Sequence, residues 1–276
     1  MTHYEIFKAC FPQLKLTEKQ FEYLVKYNSC TVFEHCENGS AAGFVLVYRS
    51  NVRLLCVHPD YQGRGIGTAL MKQAEDHIAG NGYMSITAGG LDSGLFIGEV
   101  ISKEQFDAQG SGFLSRCGFA AKNGCVEMNL DLNELTAEKL VCPDGAQFRL
   151  YDGEKAELLE AAEKIDPDWV QYFEYAEKVF AAYYKGALAG ACILGFDDTC
   201  LVSGDGFKTG NIGCVGVIPE MRRQGIGLAM VAKAAELLKE SGCKNAFIHY
   251  THLDRWYGKI GAKPVVYCAF SNKKLK

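Results

Sequence analysis

Short apolar runs bounded by turn residues occupy the first quarter of the chain. Residues 31–36, 42–48 and 51–57 have strand length and β-branched or aromatic character, and Glu37-Asn38-Gly39-Ser40 between the first two is an Asn-Gly hairpin signal. The third run ends at a proline, and glycines follow at 63, 65 and 67. The period then changes: Leu70, Met71, Ala74 and Ile78 recur at the spacing of one helix face, predicting a helix over 67–78 and a strand near 83–87. The same order returns later. Strands are predicted at 179–184 and 187–194, joined at Lys185-Gly186, and at 211–217, before a helix over 227–238 with Met230, Val231, Ala234 and Leu238 on one face and a strand at 246–251.

The two blocks coincide when the sequence is shifted by 160 positions, pairing Val57 with Val217, Pro59 with Pro219, Gly65 with Gly225, Ile66 with Ile226, Gly67 with Gly227 and Ala74 with Ala234. A period of this length marks a duplicated domain, since solenoid repeats are far shorter. The polar stretch after residue 131 ends in a Pro-Asp-Gly turn signal, which sets domains at 1–133 and 146–276 with a linker at 134–145. The second domain opens with a strand at 146–151 and a helix at 154–164, whereas the first opens on a helix at 4–9.

Composition narrows the function class. With 48% hydrophobic and 22% charged residues the 276-residue chain has the makeup of a soluble globular protein that buries real cores. No apolar run approaches membrane-spanning length and the first residues lack a signal-like pattern, so the expected location is the cytoplasm, with no membrane partner. The twelve cysteines show neither CxxC pairs nor metal spacing with histidine and read as reduced thiols, with no metal site. A net charge of −4 argues against nucleic acid, and the basic pair Lys273-Lys274 reads as a solvated tail. Nothing in the sequence sets the oligomeric state.

A strand, a glycine-rich turn and a helix make an anion site, because amides at the helix start have no internal partner and carry the positive end of its dipole. Here the loops are Gln62-Gly63-Arg64-Gly65-Ile66-Gly67 and Arg222-Arg223-Gln224-Gly225-Ile226-Gly227, each after a Val-x-Pro-acidic strand end. In this form, twice, they resemble the Arg/Gln-x-x-Gly-x-Gly/Ala loop of the GCN5-related N-acetyltransferases. The resemblance implies an α/β (α+β) fold of two tandem domains, each a mixed, mostly antiparallel sheet flanked by helices. It implies acetyl-CoA as acetyl donor, its pyrophosphate on the amides of Arg222 to Gly227 and its pantetheine arm along Cys214, Val215 and Val217, with Val57 and Gln62 to Gly67 as the counterpart in the first domain.

In the second domain Trp256-Tyr257, with Gly261 after it, is similar to the family's aromatic-Tyr-x-x-x-Gly segment, which implies Tyr257 as general acid toward the departing thiolate. The first domain aligns Phe113, Leu114 and Gly118 there, and leucine has no proton to give. That domain also carries an insertion at 93–111. It is expected to bind coenzyme without turnover or to support the fold, leaving catalysis to the second domain.

The base has several candidates: Asp198 and Asp205, with Asp197, in the loop before residue 211, and His249, His252 and Asp254 around the tyrosine segment. His249 alternates with Phe247 on its strand, while His252 begins the turn. Acceptor recognition falls to the 166–178 region, where Trp169, Tyr172 and Glu174 offer flat faces and charge, together with Asp254. The tandem architecture resembles family members that acetylate glucosamine-containing compounds, the glucosaminide N-acetyltransferases and mycothiol synthase. The expected reaction is therefore acetyl transfer to a small-molecule primary amine, an amino sugar first. A peptide, protein or aminoglycoside-like amine is the rival acceptor, and a non-catalytic acyl-CoA sensor the rival class.

Overall fold

In the computed structural model, which describes residues 1–89, 95–109, 112–136, 140–196, 200–204 and 206–275, both predicted hairpins close on left-handed pairs. These are Asn38-Gly39 (φ 51° and 77°) and Lys185-Gly186 (φ 53° and 78°), the backbone that two-residue hairpin turns demand. The chain divides into two compact units, Met1–Val126 with Val265–Lys276, and Glu127–Pro264.

Unit 1 begins with α1 (His3–Cys10) and α2 (Glu18–Leu24), both started by threonine capping boxes. It continues through β1 (Thr31–Glu37), β2 (Ser40–Tyr48), β3 (Asn51–Val57), α3 (Ile66–Gly80), β4 (Ser85–Ala88), β5 (Glu99–Ile101), α4 (Lys103–Asp107) and α5 (Phe113–Arg116) to the first half of β6 (Ala120–Asp131). β1–β2 and β2–β3 pair antiparallel, and β3–β4 parallel. All seven central positions of β2 are buried, so both of its faces are covered; α1 and α3 pack on β2 and β3. Ile66, Leu70, Met71, Ala74 and Ile78 form the buried face of α3, as the spacing predicts.

Unit 2 takes the second half of β6, then β7 (Gln147–Leu150), α6 (Lys155–Ile165), α7 (Val170–Tyr175), β8 (Val179–Tyr184), β9 (Ala187–Gly195), β10 (Thr209–Val217), α8 (Ile226–Glu240), β11 (Asn245–Thr251) and α9 (Asp254–Tyr257). Its strands run in the order β6-β11-β10-β9-β8-β7. β7–β8, β8–β9 and β9–β10 are antiparallel, and β10–β11 is parallel. Each unit is thus a mixed, mostly antiparallel sheet with helices packed on it, the fold class expected from the sequence.

The final strand, β12 (Lys263–Lys274), corrects the division at 133 and 146. It pairs antiparallel with β4, Ser271 opposite Ala88, and with β5, Tyr267 opposite Ile101, so it completes the sheet of unit 1. The chain crosses from unit 1 to unit 2 within β6 and returns within β12. Lys273 is therefore no solvated tail: its ammonium lies 2.7 Å from Glu75 and 2.8 Å from the Cys117 carbonyl. The predicted insertion supplies β5 and α4. No helix among the described residues is long and apolar enough to cross a membrane.

Candidate active site

The unit 2 site begins with a break in pairing. β10 and β11 are in register from Thr209 opposite Asn245 to Ile212 opposite Ile248, and pairing ends there although the strands run on to Val217 and Thr251. Just beyond, the β9–β10 register shifts between Gly213 and Gly216, and Cys214 sits in that irregularity with φ 47°. A non-glycine residue in the left-handed region is strained, and this bulge turns the strand out of the ladder. The backbone groups on that edge of β10 are left for another partner.

After β10 comes a 3-10 turn at Pro219–Met221, then Arg223 (φ 62°) and Gly225 (φ 86°), which starts α8 without a side-chain cap. The amides of Ile226, Gly227 and Leu228 thus meet the condition for binding an anion. Arg222 has a different task from the one its motif position suggests. Its amide donates to Pro219 O (3.3 Å), its Nε to Val217 O (2.8 Å) and an Nη to Ile165 O (3.3 Å), which ties the loop to the ends of β10 and α6.

Val215 and Val217, the loop residues Arg222, Arg223, Gly225, Ile226 and Gly227, and Trp169, Trp256 and Lys259 line a cavity of about 620 Å³. Leu140 and Val141, of the segment between β6 and β7, line it too, and a Cβ built at Gly225 would fall 1.7 Å from the Val141 carbonyl. Cys214, Gln224, Tyr257, His252, Asp254, Tyr172 and Glu174 are not on its wall.

Tyr257 is 5% exposed, its ring edge-on to Trp256 at 4.7 Å. Burial, and after it the neighbouring Cys192 and Cys214, raises its pKa and keeps the phenol protonated. Burial, with a contribution from Asp166, also pushes the Cys214 thiol up to about 11, which keeps that sulfur a neutral thiol. His252 is exposed on the turn after β11, and Asp254 opens α9. Tyr172 and Glu174 stand exposed on α7. Asp197, Asp198 and Asp205 lie outside the described residues.

One carboxylate escaped the sequence reading. Glu127, fully buried, accepts from His249 Nδ1 at 2.8 Å and from the Tyr250 amide at 2.8 Å. The signal was a lone acid inside the apolar run Cys125-Val126-Glu127-Met128.

Unit 1 repeats the plan with one loss. β3 pairs with β4 only at Asn51–Thr87 and Val52–Ala88, Gly63 (φ 75°) and Gly65 (φ 81°) shape the loop, and the cavity is about 590 Å³. Val57, Gln62, Gly63, Gly65, Ile66 and Gly67 line it; Arg64 instead donates to Asp60 O at 2.7 Å over the Tyr61 ring. Phe113 would lie 3.3 Å from a Cβ at Gly67, as Trp256 would lie 3.4 Å from one at Gly227. Gly118 and Gly261 are both left-handed, with φ 81° and 97°. The aligned segments therefore pack alike against their helix starts, and Leu114 occupies the position that follows Phe113 as Tyr257 follows Trp256. Glu99, from the insertion, accepts the amides of Gly112 (3.1 Å), Phe113 and Leu114 (3.3 Å) and so caps α5 beside this cavity. Among the described residues no group of three or more His, Cys, Asp or Glu is placed to hold a metal ion.

The chain matches the model of the acetyltransferase (GNAT) family over residues 2–92 and 148–261. It is 31% identical over 115 residues to an uncharacterized N-acetyltransferase of Chlorobaculum tepidum, across 42% of this chain and 64% of that one. Among solved structures, a GCN5-related glucosamine N-acetyltransferase region of a fungal multi-domain GH3 β-N-acetylglucosaminidase aligns with a TM-score of 0.71 at 22% identity, covering 98% of this chain and 36% of that one. A tandem GNAT protein from the clavulanic acid biosynthesis pathway aligns with a TM-score of 0.56 at 16% identity, covering 90% of this chain and 84% of that one. The chain thus spans less than two thirds of the length of the first two of these proteins, and at such identities the two structures share its fold.

Proposed function

Because the chain belongs to the acetyltransferase (GNAT) family, we propose that it is an N-acetyltransferase that moves acetyl from acetyl-CoA to a primary amine of a small molecule, an amino sugar such as glucosamine or a glucosaminide. Transfer is direct, in a ternary complex, and takes place in unit 2. One observation carries that assignment: in otherwise matching settings unit 2 has a buried, protonated Tyr257 and unit 1 has Leu114.

The residues present fit acetyl-CoA as donor substrate. The uncapped amides at the start of α8, with Arg223 and Lys259 on the cavity wall, suit its phosphates, and the unpaired edge of β10 suits its amide-bearing arm. Bound there, the thioester supplies an activated acyl group. Tyr257 holds a proton for the departing sulfur, and a phenol is worth most as a donor in a water-poor site. The raised pKa of Cys214 disfavours an acyl-enzyme on that thiol, since the thiolate is the nucleophile, and this supports direct transfer. Unit 1, with its loop intact and no tyrosine, binds coenzyme without turning it over. Trp169 on the cavity wall offers a flat face to a sugar ring, and Glu174 and Asp254 are the carboxylates proposed to meet its ammonium. The description of the fungal neighbour as a glucosamine N-acetyltransferase region supports the same acceptor class.

The test is acetyl-CoA-dependent thiol release over amines led by glucosamine and its oligomers, with peptide amines and an aminoglycoside for comparison. In Tyr257→Phe, kcat on the preferred amine should fall by about 10²–10⁴-fold while coenzyme affinity holds. An unchanged kcat removes Tyr257 from the chemistry. Turnover confined to peptides or the aminoglycoside overturns the acceptor class, and coenzyme binding without turnover on any amine points to an acyl-CoA sensor.

A further inference from the structure

Resting on that reading of the site, we infer that His249 is the base that takes the proton from the attacking amine, with Glu127 as the buried residue that positions it. Register puts His249 at the split in the sheet, although, like Tyr257, it is not on the wall of the cavity in unit 2. Ile248 is the last residue of β11 paired with β10, so His249 is the first beyond the split, level with Gly213 and the Cys214 bulge. Paired residues share a face of the sheet. With Ile212 opposite Ile248, their successors Gly213 and His249 point to one face. Gly213 in turn lies opposite Ile193, which packs on Leu158, Ala162 and Phe173 of α6 and α7. His249 therefore stands on the α6–α7 face, where Trp169 is also found, and a Cβ at Gly213 would meet nothing within 4 Å. Tyr257 lies near both Cys192 and Cys214, at the same bulge.

The hydrogen bonds give the imidazole its direction. Glu127 Oε2 accepts from the Tyr250 amide and lies 2.8 Å from His249 Nδ1; a carboxylate there selects the neutral tautomer with the hydrogen on Nδ1, in which Nε2 is the accepting nitrogen. Glu127 Oε1 has no hydrogen-bond partner among the described residues. A buried carboxylate is costly unless paired, and the His249 side chain, 40% exposed, stays open to a substrate. His252 stands exposed on the turn after the strand.

In the transfer the amine nitrogen bonds to the carbonyl carbon and the carbon–sulfur bond breaks. The proton leaving nitrogen goes to His249 Nε2, and the departing sulfur takes one from Tyr257. The proton on His249 passes to solvent and the phenolate regains one from it, so the enzyme is restored.

The test joins kinetics to a measurement that needs no turnover. In His249→Ala, kcat on the preferred amine should fall by about 10²–10⁴-fold with KM for acetyl-CoA unchanged, and added imidazole should restore part of it. Glu127→Gln should lower kcat on its own but leave His249→Ala no slower, because it acts through the missing ring. Nitrogen NMR of the neutral ring should show Nδ1 protonated and Nε2 bare in the wild type. An Nε2–H tautomer, an unchanged kcat in His249→Ala, or a full additive loss in the double variant would each overturn the assignment. Wild-type protein that acetylates no amine would sink the reading of the site and the base role together, and the tautomer separates that failure from a misplaced dyad.

Discussion

Two glycines three residues apart on β10 should behave oppositely when given a methyl group. At Gly216 the added Cβ would lie 2.1 Å from Ile165 Cγ2 and 3.2 Å from its Cδ1, against an ordinary carbon contact of roughly 3.5–4.0 Å. Ile165 must retreat, and overpacking of this kind costs about 1–3 kcal/mol. Replacing glycine in a strand returns about 0.5–1 kcal/mol of backbone entropy. Taken at their central values these leave a net loss for Gly216→Ala of about 1 kcal/mol, a fall in Tm of ~2–4 °C. Because the Ile165 carbonyl also accepts from Arg222, the same variant should loosen the loop and weaken coenzyme binding. At Gly213 a Cβ meets nothing within 4 Å and φ is not positive, so Gly213→Ala keeps or slightly raises Tm. Its methyl does project into the split, so kcat/KM should fall. Thermal melts and titration with acetyl-CoA read both arms. Gly216→Ala melting at or above wild type, or Gly213→Ala losing as much stability, would refute the packing assigned to the end of α6.

Gly225→Ala combines a left-handed φ of 86° with the Val141 carbonyl 1.7 Å away, whereas Gly65→Ala in unit 1 has φ 81° and open space. The first should weaken coenzyme binding in unit 2 by more than about tenfold and the second should cost only the backbone term of about 1–2 kcal/mol; equal losses in titrations would count against the close Val141 contact. The fold should also lose stability at high pH. Cys214 titrates at 9.0 when unperturbed and at about 11 when folded, so its contribution is intact below pH 9 and lost as pH rises through 11, with Cys192 and Tyr257 acting in the same direction. Cys214→Ser should make the urea midpoint less steep across that window, and an identical slope would contradict burial as the cause.

The hairpins closed by glycine turns were legible in the sequence, as β1–β2 and β8–β9 show. The correspondence of Phe113 with Trp256 was legible as well, because each ring must lie on a glycine at a helix start. β12 was not. Its partners are β4 and β5, and no local period reports a pairing such as Ser271 with Ala88. Lys273-Lys274 accordingly looked like a solvated tail, when Lys273 meets Glu75, 198 positions away. Arg222 fits the loop motif, but its donors are taken by carbonyls that only the fold brings near. Glu127 was visible as an anomaly in an apolar strand, and its partner His249, 122 positions away, was not.

The return of the chain into unit 1 also bears on how the protein is made. Synthesis runs from the N-terminus, so the edge of β4 that receives β12 emerges long before its partner, and all of Glu127–Pro264 must be translated in between. At roughly 5–20 residues per second that interval is on the order of ten seconds. For that time the nascent first unit presents an open strand edge, the kind of surface that pairs with other chains. Neither half of the duplicated sequence, cut between residues 133 and 146, carries a complete sheet, so a truncated first half leaves the β4 edge open unless the C-terminal strand is supplied in trans.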